Sequence, residues 1–221
     1  MDTQVHYPGE SENYRKARNE LLAAEMELRR KVAEVALLRA NLPLGGAINE
    51  DYRFMSSNSG HSLSELFADH SDSLILYSFM YPEGGSACPM CTAFLDSLNG
   101  SAPHIIQRTG LAVVGQSPID VLQNFANGRG WQNLKMLSTA GTTYNSDYHG
   151  ETAEGQIPMM NVFVRRNDRI HHFYGTELFF TPNEDGQHAR HIDAMWPLWN
   201  VFDLLPEGRG ENWFPQVDYV T

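Results

Sequence analysis

Cysteine is scarce in this chain: 221 residues contain two, Cys88 and Cys91. A pair at this spacing points to redox or metal chemistry rather than to a structural staple. Long apolar runs are missing as well. The longest, Leu74 to Met80, is interrupted by Ser78 and is far shorter than the ~20 residues that span a bilayer as a helix. Met1 to Tyr14 is polar and lacks the apolar stretch of a secretory signal, so export is not indicated and a cytoplasmic setting is expected. Positive charge is in deficit, with 16 basic against 27 acidic residues and a net charge of -11. Such a surface repels phosphate backbones and anionic headgroups, so neither nucleic acid nor membrane is an expected partner. No Gly-rich phosphate loop is found, so no nucleotide cofactor is implied. Internal repeats and low-complexity tracts are absent too.

Apolar residues are plentiful, at 42% of the chain with 11% aromatic, which is enough for a packed interior. Ser11 to Leu42 is rich in Ala, Leu, Glu, Arg and Lys without Gly or Pro, until Pro43 and Gly45-Gly46 stop it. This predicts one long helix. Its residues Leu21, Leu28, Val35 and Leu42 recur every seven positions and form an apolar stripe that needs a partner, either its own domain or a second copy in a homodimer. The expected organisation is an N-terminal helical arm over 1–50 and an α/β domain over 51–221.

Within that domain, Ser62 to Phe67 reads as a short helix and Leu74 to Met80 as a buried central strand. A Pro- and Gly-containing loop, Tyr81 to Ala87, leads to the cysteines, and a short helix from Cys91 to Leu98 is expected to end near Asn99-Gly100. Leu111 to Gly115 predicts a second strand, and Ile119, Leu122 and Phe125 lie on a helix closing at Gly128. A third strand is expected at Leu134 to Leu137, and then a loop to about Gly155. Met159 to Arg165 and Ile170 to Tyr174 read as a hairpin turning at Asn167-Asp168, before a helix over Ala189 to Leu205 interrupted at Pro197. This order predicts a mixed sheet with helices on both faces.

Pro89 suits the first helical position, where a missing N–H is no loss, so Cys88 should cap the helix. A thiol there meets unpaired backbone N–H groups and the positive end of the helix dipole, which favour the thiolate. Cys88 is therefore the expected nucleophile. Cys91, one turn inward and more shielded, is the expected resolving thiol. Gly85, Ser86 and Ala87 are small and leave room for a partner to reach Cys88. With Tyr81, Pro89 and Ile157 they form the expected substrate approach, and Tyr77 is expected to flank it beside Tyr81.

A strand, a CPMC motif opening a helix, and Ile157-Pro158 directly before a hairpin resemble the thioredoxin superfamily. The strings FMYPEGGSACPMCTAFLDSLNG and VFDLLPEGRGENW more closely resemble a bacterial thioredoxin-like family classed as a domain of unknown function. That resemblance extends from about Leu21 onward. It implies a thioredoxin-like fold, thiol-disulfide oxidoreductase activity on a protein or small-molecule thiol or disulfide, and a place for Pro158 beside the redox pair, where the superfamily carries a cis proline. The chain departs from the family pattern in having Ala87 where Gly precedes the motif, and Phe94-Leu95 where an aromatic pair is usual.

Other readings compete. Cys88 and Cys91 with two histidines, His188 and His191 for example, make a four-ligand zinc set on paper, but no second CxxC exists and a helix-opening CPxC suits exchange better than a closed cage. No metal is therefore expected. His171 and His172 are neighbours in a strand and face opposite ways. Peroxiredoxins share the fold, yet their Pro and Thr seven and three residues before the reactive cysteine are Tyr81 and Gly85 here. A scaffold that only binds, through the apolar helix, is the third alternative. Trp131, Trp196, Trp199 and Trp213 read as core or interface residues.

Overall fold

The computed structural model describes residues 5–182, 184–185, 195–210 and 212–219. The chain divides at Pro43/Leu44 into two compact units, Met1–Pro43 and Leu44–Thr221. The first is a single helix, α1 (Glu12–Ala40), whose N-cap Ser11 accepts a hydrogen bond from the Tyr14 N–H. Glu12 in the first turn and Arg39 in the last complement the helix dipole. No α1 side chain is buried, and Leu42 of the apolar stripe lies beyond the helix end.

The second unit opens with a segment that closes a sheet edge. Its strands are β1 (Arg53–Met55), β2 (Gly60–Ser62), β3 (Ser73–Phe79), β4 (Gly110–Gly115), β5 (Met136–Ser138), β6 (Glu151–Thr152), β7 (Gly155–Gln156), β8 (Met160–Arg166) and β9 (Arg169–Gly175). Seven of them form one sheet in the order β2-β1-β5-β4-β3-β8-β9, and β6 and β7 pair separately. β5, β4 and β3 are parallel, while β8 runs antiparallel to β3 and β9 antiparallel to β8. The hairpin β1-β2 was not predicted, since strands of three residues carry no readable alternation. Asn167 and Asp168 both take positive φ, 51° and 59°, as a two-residue hairpin turn requires.

Gly45 has a role beyond ending α1. Its N–H donates to the His172 carbonyl, and a Cβ there would stand 2.4 Å from that oxygen. Only glycine permits the approach. The His172 N–H in turn donates to Gly46 O, and the Ile48 N–H to Ile170 O, so Leu44–Ile48 covers the open edge of β9.

Between the strands lie a 3-10 turn (Leu63–Leu66) and the helices α2 (Pro89–Ile105), α3 (Ile119–Arg129), α4 (Tyr144–Asp147) and α5 (Pro197–Phe202). α2 runs past the Asn99-Gly100 stop expected of it. Pro103 lacks the N–H that would reach the Asn99 carbonyl, and Asn133 Nδ2 donates to that carbonyl instead, at 3.1 Å. Asn99 Oδ1 accepts the Asn133 N–H at 3.0 Å. The helix thus survives its internal proline. α3 likewise includes Gly128 and closes two residues later at Gly130, whose φ of +72° forms the left-handed cap. Of the helix expected over Ala189 to Leu205, α5 holds Pro197–Phe202 with Pro197 in its first turn, and residues 189–194 lie outside the described residues.

Alternation along β3 sorts the interior. Tyr77 and Phe79 point to one face with Leu111 and Val113 of β4, and meet Cys91, Phe94 and Leu95 of α2, Leu122 and Ala126 of α3, and Trp196 and Trp199. Leu74 and Leu76 point to the other, against Leu63 and Leu66 of the 3-10 turn and Tyr144 of α4. Each of these large side chains contributes about 1.5–3 kcal/mol by leaving water. A parallel strand, motif helix and strand, flanked by an antiparallel hairpin and covered on both faces, make this a thioredoxin-like fold with a long N-terminal helix.

Candidate active site

β3 delivers the chain to the end of the sheet, and a loop from Met80 returns it to α2. The loop is held at both ends: the Cys88 N–H donates to Met80 O (3.0 Å), and Ser117 Oγ donates to Tyr81 O (2.7 Å). Within it Gly85 N–H donates to Pro82 O, and Gly84 takes φ +70°.

Cys88 is the N-cap of α2, with extended φ and ψ of -64° and 121°, and Pro89 follows in the first turn. Its carbonyl accepts both the N–H and the hydroxyl of Thr92, each at 2.9 Å, which fixes the first turn. The Cys91 N–H donates to Cys88 Sγ at 3.4 Å. The Cys91 thiol, followed by the backbone N–H groups of Cys91 and Met90, outweighs partial burial and brings the Cys88 pKa down to about 7. Cys91 is fully buried, and burial followed by the neighbouring Cys88 pushes its thiol well above the ordinary range. Both cysteines are free thiols.

One helix terminus thus sets two thiols apart, Cys88 half-buried at the N-cap and Cys91 buried one turn inward. Reduced protein alkylated across a pH series is expected to lose the Cys88 thiol with a midpoint near pH 7, the rate rising as pH rises and the thiolate forms. A pKa of about 7 corresponds to about half thiolate at pH 7, against ~3% for a free thiol of pKa ~8.5. Peptide mapping that finds Cys91 labelled as fast as Cys88 would contradict this assignment.

The sequence, residues 3–219, matches the family described as a bacterial protein of unknown function (DUF899). The chain belongs to that family. No curated protein matches it. Among solved structures it is similar to a reduced 2-Cys peroxiredoxin from Plasmodium vivax, at 13% identity over 73% of this chain and 96% of that one, with a TM-score of 0.45. A peroxiredoxin-like protein from Aquifex aeolicus gives 15% identity, 61% and 75% coverage, and a TM-score of 0.42. A secreted disulfide oxidoreductase from Mycobacterium tuberculosis, homologous to DsbE of E. coli, gives 15% identity, 63% and 88% coverage, and a TM-score of 0.38.

In this family member the expected approach residues divide. Gly85, Ser86 and Pro89 are exposed beside Cys88. Tyr81 is half-buried, its ring against Phe79 (5.8 Å between centroids) and Phe125 (5.4 Å). Ala87, by contrast, points into the core at 6% exposure. Ile157 is half-buried and its N–H donates to Gly150 O. Pro158 is buried next to it. The Ser78 N–H donates to Met159 O, and Tyr77 pairs with Met160, which puts Pro158 at the end of the sheet from which the Cys88 loop emerges. The described backbone has no cis peptide bond, so the Ile157-Pro158 bond is trans here, unlike the superfamily's cis proline.

Tyr77 is also corrected. It is fully buried under α2, with its ring 4.9 Å from that of Phe94, and so forms no groove wall. Strand alternation could have indicated this, since Tyr77 and Phe79 share a face, but nothing in an all-apolar run says which face meets the helix.

Among the described residues, no group of three His, Cys, Asp or Glu side chains is placed to hold a metal ion. His171 Nδ1 bonds Gly45 O and His172 Nε2 bonds Asn161 Oδ1, so these two rings serve separate contacts. His188 and His191 lie outside the described residues. No described helix is long and apolar enough to cross a membrane.

Proposed function

We propose that the protein is a thiol-disulfide oxidoreductase in which Cys88 attacks and Cys91 resolves. One observation carries this reading: a single helix start sets two thiols apart, Cys88 half-buried at the N-cap with the Cys91 N–H on its sulfur, which favours the thiolate, and Cys91 fully buried in the core, which favours the thiol. The Cys88 thiolate attacks one sulfur of a disulfide, forming a mixed disulfide and expelling the other half as thiolate. Cys91 then attacks the Cys88 sulfur, closing the Cys88–Cys91 bond and releasing the second half. The Cys91 proton goes to that leaving thiolate. The substrate gains two electrons and the pair loses them; the reverse sequence oxidises a dithiol.

On this reading the partner is a protein or small-molecule thiol or disulfide, and the setting is the cytoplasm, where a dithiol is cycled rather than locked. Peroxide is a weaker substrate, because Gly85 supplies no hydroxyl three residues before Cys88.

The test equilibrates the protein with dithiothreitol at a series of oxidised-to-reduced ratios, followed by maleimide quench and intact mass. A single transition from two alkylated thiols to none supports the proposal. Two alkylated thiols at every ratio refute it. Peroxide consumption faster than that of free cysteine would shift the assignment to a peroxidase.

A further inference from the structure

Charge is spread unevenly over the Leu44–Thr221 unit. Phe79 pairs with Gly115 at the ends of β3 and β4, so Met80–Tyr81 and Gln116–Ser117 leave the sheet side by side, tied by the Ser117 Oγ bond to Tyr81 O at 2.7 Å. Three segments gathered there each carry a carboxylate. Glu83 is exposed in the loop that leads to Cys88, and Asp120 is exposed in the first turn of α3, three residues after Ser117. Glu151 accepts a hydrogen bond from Gln116 Nε2, next to the Gly150 carbonyl that holds Ile157. None of the three is ion-paired with a described residue.

Cations are kept away from this end. The chain has no Lys or Arg over 54–107, 109–128 or 136–164, which supply β3, the Cys88 loop, α2 and the starts of α3 and β8. Arg108 and Lys135 precede β4 and β5, and Arg165, Arg166 and Arg169 surround the β8–β9 turn beside Asp72, all at the opposite end of the sheet. Arg129 closes α3 and pairs with Asp96, and the buried Arg209 pairs with Asp203. Arg53 stands on β1, three strands from β3, or about 14 Å at ~4.8 Å per strand. Coulomb forces fall with distance and are screened by salt, so a substrate arriving at Cys88 meets the nearby carboxylates and the attacking thiolate before any arginine.

We propose that the Cys88 face selects polypeptide disulfides flanked by Lys or Arg and disfavours anionic ones such as glutathione disulfide, with Glu83, Asp120 and Glu151 as the residues that set the preference. Because they stand on three separate segments, their complement is a chain with cations on both sides of its cysteine rather than a single ammonium. The inference rests on the exchange reading above and names its substrate class. The steps are those given there: the Cys88–Cys91 pair loses two electrons and the peptide disulfide gains them.

The probes are symmetric disulfides of blocked tripeptides with Lys, Gln or Glu on both sides of the cysteine, together with cystamine and glutathione disulfide. Reduced protein is mixed with each, and loss of the reduced form is followed by acid quench and intact mass. Each rate is divided by that of mercaptoethanol with the same disulfide, which cancels leaving-group differences. At about 0.01 M salt, where charges are felt over ~30 Å, the Lys-flanked disulfide is expected to react on the order of tenfold faster than the Glu-flanked one, and at about 1 M, where the reach is ~3 Å, within about twofold. Glutathione disulfide should follow the Glu-flanked peptide, and cystamine should fall between the Lys- and Gln-flanked ones. Glu83→Gln combined with Asp120→Asn, both exposed, is expected to cut the low-salt ratio at least about twofold.

Equal normalised rates at low salt, a ratio that salt does not change, or a ratio unmoved in the double variant overturns the inference. A cystamine rate matching that of the Lys-flanked peptide would assign the face to small amines and overturn the polypeptide assignment. If the Gln-flanked disulfide leaves the protein reduced, the exchange reading fails instead, so the two failures can be told apart.

Discussion

Cys91→Ser is expected to accumulate a mixed disulfide between Cys88 and its partner, and Cys88→Ser is expected to accumulate none. The first variant keeps the capping thiolate and its Met90 and Cys91 N–H donors, because a serine at 91 retains the backbone N–H that reaches Cys88 Sγ. Attack proceeds, and no second thiol is present to expel the partner. The second variant leaves only Cys91, which is fully buried and held as a thiol. Access and ionisation fail together, so exchange should fall by a factor on the order of 10³ or more. Non-reducing electrophoresis and mass spectrometry after mild oxidation give the answer. Equal trapping by both variants, or trapping by neither, would return the pair to a structural role.

The second large effect concerns stability. Trp199→Ala is expected to lower the unfolding free energy by about 3–5 kcal/mol, the range for removing a large buried aromatic. Trp199 is fully buried, with its ring 5.0 Å from Trp196, 5.9 Å from Trp213 and 6.4 Å from Phe214 between centroids. The Arg209 guanidinium lies over it at 5.7 Å and pairs with Asp203 at the end of α5. Truncation would empty a volume bordered by the Trp196, Trp213 and Phe214 rings, and domains of this kind hold only ~5–15 kcal/mol in total. Urea denaturation gives the value. A loss below about 1 kcal/mol would mean that the C-terminal aromatic cluster is not integral to the core.

What the sequence made legible was local. Ser11 before a run of helix formers, Pro89 after Cys88, and Asn167-Asp168 between two strand patterns each act on their nearest neighbours, and each stands where it was expected. What it hid depends on distant residues. α2 outruns its apparent stop because Asn133, 34 positions from Asn99, takes over a carbonyl that Pro103 leaves free. Nor could the run Leu74 to Met80 say that Tyr77 faces the motif helix, because both faces of β3 are apolar. The candidate site is therefore readable as a pair of thiols, but its inner wall emerges only from the packing of β3 against α2, and the place of Pro158 only once β8 is laid beside β3.

The short stretch that covers β9 has a bearing on how the protein tolerates shortening. Strand edges that offer free N–H and C=O groups recruit other strands, and here Gly45, Gly46 and Ile48 occupy those of His172 and Ile170. A chain cut anywhere up to Pro43 would keep that hem. One begun at Asp51 would carry the cysteine pair and the whole sheet, yet would present β9 bare to every other copy in solution, inviting self-association unrelated to α1.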